Sequence, residues 1–177
     1  MHNQLTPADF SLPEALRGWI SVGEVADGRF FVDDLFARKY GNQAPDYGRH
    51  IVGFYRAQDG ALYPLSYLHY WQQDRIGLIG GGCTDGVVMR QMPADLASTI
   101  NQAGGMLHQT LRYAFTHFCS DIDAFFGHAG DTRAREVDLG AGFSETEYEY
   151  LLIRPVGPLT GPQREALMAQ AVALGNF

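Results

Sequence analysis

The sequence predicts a single mixed α/β (α+β) domain, and three observations along its 177 residues carry that prediction. Aromatic and β-branched residues fill His50 to Ala57 and Ala61 to Gln72. Asp59-Gly60 between them is a two-residue hairpin signal, so the two runs should pair antiparallel. From Pro93 to Phe118 the apolar period becomes helical, with Leu107, Leu111, Phe115 and Phe118 on one stripe. Further on it switches to two: Thr146, Tyr148, Tyr150 and Leu152 share one face and Glu145, Glu147 and Glu149 the other, which predicts a half-buried strand.

The remaining elements follow in chain order. Phe10, Leu12, Ala15, Leu16 and Ile20 lie at mostly helical spacing and predict a helix from Pro7 to Ile20, interrupted early by Pro13. A short helix is expected over Arg29 to Tyr40, then a breaker at Gly41 to Pro45 and a loop to Gly48. Arg75 to Gly82 and Gly86 to Met92 read as two strands or one bulged strand, with Gly80-Gly81-Gly82 as bulge or turn. Two adjacent glycines inside a helix would each cost about 1 kcal/mol, so Gly104-Gly105 is a loop and a helix begins near Met106. Ile122 to Phe126 fits a buried strand. Asp131 caps a helix from Thr132 to about Ala141, with Gly142 as its stop. Arg164 to Leu174 forms the last helix, with Thr160 and Gln163 as a capping box.

Composition excludes several classes. A net charge of -7 and no Lys/Arg run argue against a nucleic-acid partner. The N-terminal residues lack the pattern of a secretion signal and no apolar run approaches a bilayer span, so no membrane partner and a soluble cytoplasmic protein are expected. Cys83 and Cys119 are too few for a disulfide scaffold or a zinc site, and no metal is expected. The zincin, nucleophile-elbow, phosphate-loop and dinucleotide fingerprints are all missing.

Residues 86 to 153 give strand, glycine loop, long helix, strand, short helix ending in Gly-Phe, and strand. Gln102-Ala103-Gly104-Gly105-Met106 stands at a helix start, where glycines allow close backbone approach and the helix N-terminus favours an anion. Asp131-Thr132-Arg133-Ala134, Asp138 and Gly142-Phe143 follow. This pattern resembles the GNAT superfamily of acyl-coenzyme-A N-acyltransferases, whose fourth helix commonly reads Asn-x-x-Ala, then Tyr, then Gly-Phe. Asp stands here at both the Asn and the Tyr positions, and that Tyr is the family's frequent general acid. The resemblance implies a central mixed, mostly antiparallel twisted sheet flanked by helices. Residues 1–48 would supply N-terminal helices and a loop, 49–92 the strands, 93–155 the coenzyme-binding half and 160–177 a C-terminal helix.

By the same resemblance the cosubstrate is acetyl-CoA, the acyl group sits where the strand before the coenzyme helix splays from the next, and the acceptor is a small-molecule or peptide amine. Val87, Val88 and Met89 would bond the pantetheine through their backbone. Gln102, Ala103, Gly104, Gly105 and Met106, with Asp131, would hold the pyrophosphate. Amine acylation needs a base for the amine and donors for the oxyanion and thiolate. His128, Asp85 and Tyr148 are the acid/base candidates, each with a plainer reading: a loop histidine, a turn residue and a packing aromatic. Tyr63, Tyr67, Tyr70 and Trp71 would line a substrate pocket or pack in the core. Glu145, Glu147 and Glu149 would attract a cationic amine or form a solvated strand face. Strand edges near Glu149 leave a homodimer open. The alternatives are a noncatalytic domain of the same fold that binds a ligand or partner, and an unrelated α+β domain holding a small hydrophobic ligand.

Overall fold

The structure, a computed structural model, describes residues 10–175 and 177. Its centre is a seven-stranded mixed sheet, built from β1 (Ile20–Val25), β2 (Arg49–Arg56), β3 (Leu62–Gln73), β4 (Ile76–Thr84), β5 (Ala124–His128), β6 (Ser144–Glu145) and β7 (Leu151–Pro155), in the order β1-β2-β3-β4-β5-β7-β6. Every neighbouring pair is antiparallel except β4 and β5. The helices are α1 (Gly28–Tyr40), α2 (Gly86–Gln91), α3 (Ala94–Gln102), α4 (Met106–His117), α5 (Thr132–Gly140) and α6 (Gly161–Leu174).

Side chains alternate across the sheet, and each face carries its own core. On one face α4 and α5 lay Leu111, Phe115, Phe118 and Phe143 against Ile51, Ile79, Phe125 and Leu152, while α3 adds Leu96 and Ile100 beside Met106. On the other, α1 packs Val32, Leu35 and Phe36 on Val52 and Tyr67, and α6 packs Leu167, Met168 and Ala171 on Leu78, Phe126 and Ile153. Caps fix the helix starts. Asp27 accepts from Phe30 N–H, Asp131 from Ala134 N–H, and Thr160 with Gln163 closes the expected box. Each such cap contributes about 1 kcal/mol.

The Arg29–Tyr40 helix, the Asp59-Gly60 hairpin, the start at Met106 and the last two capped helices form as the sequence predicts. Three expectations are corrected. Of the Pro7 to Ile20 helix, residues 7–9 lie outside the described residues. The rest holds one 3-10 turn, Glu14–Leu16, after which Ile20 opens β1 opposite Tyr55. Pro13 and Arg17 are extended, and Leu16 and Ile20 meet their helical spacing by burial against α3 and β2 instead.

Gly86 to Met92 is not a strand. The Asp85 carboxylate accepts from the Val87 and Val88 amides at 2.8 and 3.3 Å and nucleates α2, overriding the strand preference of Val-Val. The expected strand from Glu145 to Leu152 is broken: Glu145 ends β6, Leu151 and Leu152 open β7, and residues 146–150 between them form a turn. Thr146 Oγ1 accepts from Tyr148 N–H and donates to Leu151 O, a local alternative to the ladder. The turn ends with Tyr150 at φ 67, a left-handed conformation unusual outside glycine.

Candidate functional site

The parallel pairing of β4 with β5 runs only from Ile76 opposite Ala124 to Ile79 opposite Gly127. Beyond it β4 continues as Gly80 to Thr84 without a β5 partner, while β5 ends at His128. In the β3–β4 ladder Tyr67 faces Cys83 and His69 faces Gly80, so Gly81 and Gly82 together oppose Leu68 as a bulge. Gly81 has φ 60, and a Cβ there would meet the Phe36 ring at 2.7 Å; one on Gly82 would meet Leu107 at 2.9 Å. Three consecutive glycines thus let a strand edge bend with helices close on both sides. The result is an opening through the sheet.

A mixed, mostly antiparallel sheet flanked by helices, with a strand splaying from the next ahead of a glycine-started helix, is the arrangement the sequence resemblance implies, but the splaying strand is β4, Ile76–Thr84, and not the expected strand at Val87 to Met89. This is a GNAT-like fold. No family model matches the sequence, and no curated protein matches it significantly. Solved structures are similar to it at low identity. One is ElaA from Escherichia coli, at 12% identity, 76% of this chain, 99% of that chain and a TM-score of 0.45. Another is a chimera of the Vibrio cholerae spermidine N-acetyltransferase SpeG with hSSAT, at 13% identity, 78% and 96% of the chains and 0.45. A third is the KacTA–DNA complex, at 14% identity, 85% and 99% of the chains and 0.45. Likeness of this degree is silent on activity, substrate and partner.

Two cavities meet at the opening. The first, about 660 Å³, lies between the end of β4, α2, the start of α4 and α5. It takes Gly104, Gly105, Met106 and Met89 from the sequence candidates, and adds Arg90, Arg133 and Lys39 as cations. The Gly104 and Gly105 amides are not free: they bond Asn101 O and Ile100 O at 3.1 and 2.9 Å and close α3. Gly105 caps α4 without a side chain, so the donors that open α4 are the amides that follow it. Gln109 donates to Ala103 O at 2.6 Å and pins the turn. Gln102, bonded to Ser98, and Ala103, the C-cap of α3, do not line this cavity.

Val87 and Val88 do not reach it either, since their amides are taken by Asp85. Asp85 is buried, and its second oxygen holds Arg38 at 2.6 Å. It is a structural cap outside both cavities, which removes it as an acid/base candidate. Asp131 does line both cavities; it caps α5 and pairs with Lys39 at 3.3 Å, and the Ala134 amide it accepts keeps it below the ordinary carboxylate range. Burial pushes the Cys83 thiol up to about 12, so it is no thiolate nucleophile.

The second cavity, about 850 Å³, opens on the side of α1 and α6, between Phe36, Tyr40, Tyr47, His69, Tyr150 and His128. Tyr40 donates to Gly82 O at 2.7 Å, tying α1 to the bulge. Burial holds His128 below its ordinary 6.5, and its Nδ1 is enclosed without a hydrogen-bond partner among the described residues. Asp138, on α5, faces the same cavity from the other face of the sheet. Burial first, and the Asp131 carboxylate second, raise its carboxyl to about 7. Tyr148 is exposed and lines neither cavity; its neighbour Tyr150 does. Tyr67 and Tyr70 are core residues, and Glu145, Glu147 and Glu149 are exposed.

Asp138, Lys39, Arg90 and Arg133 are the members that sequence reasoning passed over. Asp138 carried a signal, since it occupies the position where the resemblance places a tyrosine. The three cations are far apart in sequence and carry none. Among the described residues no group of three His, Cys, Asp or Glu is placed to hold a metal ion, and no helix is long and apolar enough to cross a membrane.

Proposed function

We propose that the protein is an acyl-coenzyme-A-dependent N-acyltransferase, with acetyl as the acyl group and a primary amine as acceptor. The observation that carries this reading is the opening where β4 bends away from β5, with a cation-lined cavity on the α4 side and an aromatic one on the α1 side. The thioester enters from the first and the amine from the second. The α4 amides, Arg90 and Arg133 suit the phosphates of the coenzyme.

His128, neutral because burial disfavours its charged form, takes the proton that the amine nitrogen loses as it attacks the thioester carbonyl. The carbon–sulfur bond then breaks, and Asp138 gives its proton to the departing thiolate. The products are an amide and free coenzyme thiol; His128 and Asp138 recover their starting states by exchange with water. A carboxylic acid thereby fills the role that a phenol fills in the resemblance. Raising a carboxyl by burial keeps it protonated near neutrality, the condition for donating.

Calorimetry with acetyl-CoA tests the first half. Wild-type protein should bind at micromolar affinity, and Arg133→Glu, an exposed change that disturbs no core contact, should weaken binding about tenfold or more by placing like charge against phosphate. Folded wild-type protein that shows no heat of binding would overturn the acyltransferase reading and favour a noncatalytic module.

A further inference from the structure

We infer that the acceptor is a primary monoamine carrying an aryl ring, bound on the α1 side of the opening with the ring against His128; the inference rests on the acyltransferase reading of the same site. The chain itself shows what that wall accepts. The phenyl ring of Phe177 lies on the His128 imidazole, ring centres 4.4 Å apart at 55°. Its backbone carbonyl approaches Gly80 so closely that a Cβ there would stand 2.9 Å from the oxygen. Gly80 is the first β4 residue beyond the parallel pairing, so Phe177 occupies the ground an acceptor must hold to present nitrogen at the gap.

The surrounding wall is built for flat rings. Phe36 and Tyr40 pack at 4.6 Å on one side, and Tyr47 meets His69 edge-on at 4.9 Å on another. Tyr150 stands at the mouth in its left-handed conformation, and its carbonyl accepts from Ala129 N–H at 2.9 Å, which fixes the kink that aims it there. Charge is scarce by contrast. The cavity's acidic side chains among the described residues are Asp131, already paired with Lys39, and Asp138 on the far face. A polyamine needs several unpaired carboxylates spaced along its length, and this wall does not offer them.

The test separates acceptor from coenzyme. Binding of 2-phenylethylamine, n-butylamine and spermidine is measured by saturation-transfer NMR, without acetyl-CoA and with it, followed by turnover of each amine. The aryl amine should bind and turn over about tenfold or more better than butylamine, the gain expected from burying one ring. Spermidine should be the poorest of the three. Phe177→Ala should lower KM for 2-phenylethylamine several-fold with acetyl-CoA affinity unchanged, because the acceptor no longer displaces a resident ring. Equal binding of the aryl and alkyl amines, or a preference for spermidine, overturns the inference even if acetyl-CoA binds. Aryl-selective binding by a protein that ignores acetyl-CoA would uphold the acceptor wall and overturn the transferase reading instead.

Discussion

Replacing Asp138 by Asn tests whether the buried carboxyl is the acid of the site, because it removes the titration and keeps the shape. The folded protein holds the proton of Asp138 up to about pH 7, whereas an unfolded chain releases it near 3.8. Across that window the folded state binds more protons. Its stability relative to the Asn variant is complete below pH 3.8, falls as the pH rises, and is fully lost above about 7. At about 1.4 kcal/mol per pH unit the full loss is roughly 4 kcal/mol, and residual solvent access reduces it to about 2–4. For a chain of this size that corresponds to roughly 5–10 °C in Tm. Urea and thermal unfolding of both proteins from pH 4 to 8.5 measure it. Asp138→Asn should match wild type near pH 4 and exceed it at pH 8. Activity should fall by about a hundredfold, the usual share of one acid/base group, and the alkaline limb near pH 7 should vanish from its rate profile. A wild-type-to-variant stability gap that does not change with pH would refute the burial argument, and an unaltered rate profile would refute the role.

Two further outcomes follow from the buried polar groups. Asp85→Ala strips the cap of α2 and leaves the half-exposed Arg38 without its partner, so it should destabilise by about 1–2 kcal/mol in urea unfolding while the folded fraction keeps its acetyl-CoA affinity within about twofold. A large loss of affinity at unchanged stability would return Asp85 to the site. His50, bonded to the Tyr67 hydroxyl at 2.8 Å, and His69, donating to Tyr47 O at 2.8 Å, are buried and held below their ordinary 6.5. Unfolded chains take up the extra protons, so stability should be complete above pH 6.5 and decline as the pH falls below it. His50→Gln with His69→Gln should flatten that decline, and an equally steep one in the double variant would locate it elsewhere.

How legible the molecule is in its sequence varies with how local each signal is. Asp131, Thr160, Gly105 and Asp59-Gly60 act within three or four residues, and the elements they bound stand where expected. The strand Ile20–Val25 escapes the sequence reading because its pairing partner lies some thirty residues away in β2, while Phe10 to Ile20 alone mimic a helical stripe. Val87-Val88 looked like strand until Asp85 took their amides. Near the opening, the Gly104-Gly105 turn is legible because adjacent glycines disfavour a helix interior, while His128 closes β5 instead of lying in the loop after it. Asp138 owes its character to burial beside Asp131, and Lys39, Arg90 and Arg133 converge only through three separate helices.

Lys39, Gly82, Leu107, Asp131 and Ala134 line both cavities, but away from this shared seam their supports differ. The buried cluster under α6, near Phe177, shares no residue with the one under α3 that supports the Gly104-Gly105 turn. Perturbations in well-separated packing units combine additively. On the acyltransferase reading proposed above, changes at the outer ends should alter donor and acceptor recognition separately, whereas changes at the shared seam should alter both. A substitution that reshapes the wall around Phe177 and one that alters Arg90 should add in free energy, which leaves acceptor range free to change while the donor stays the same.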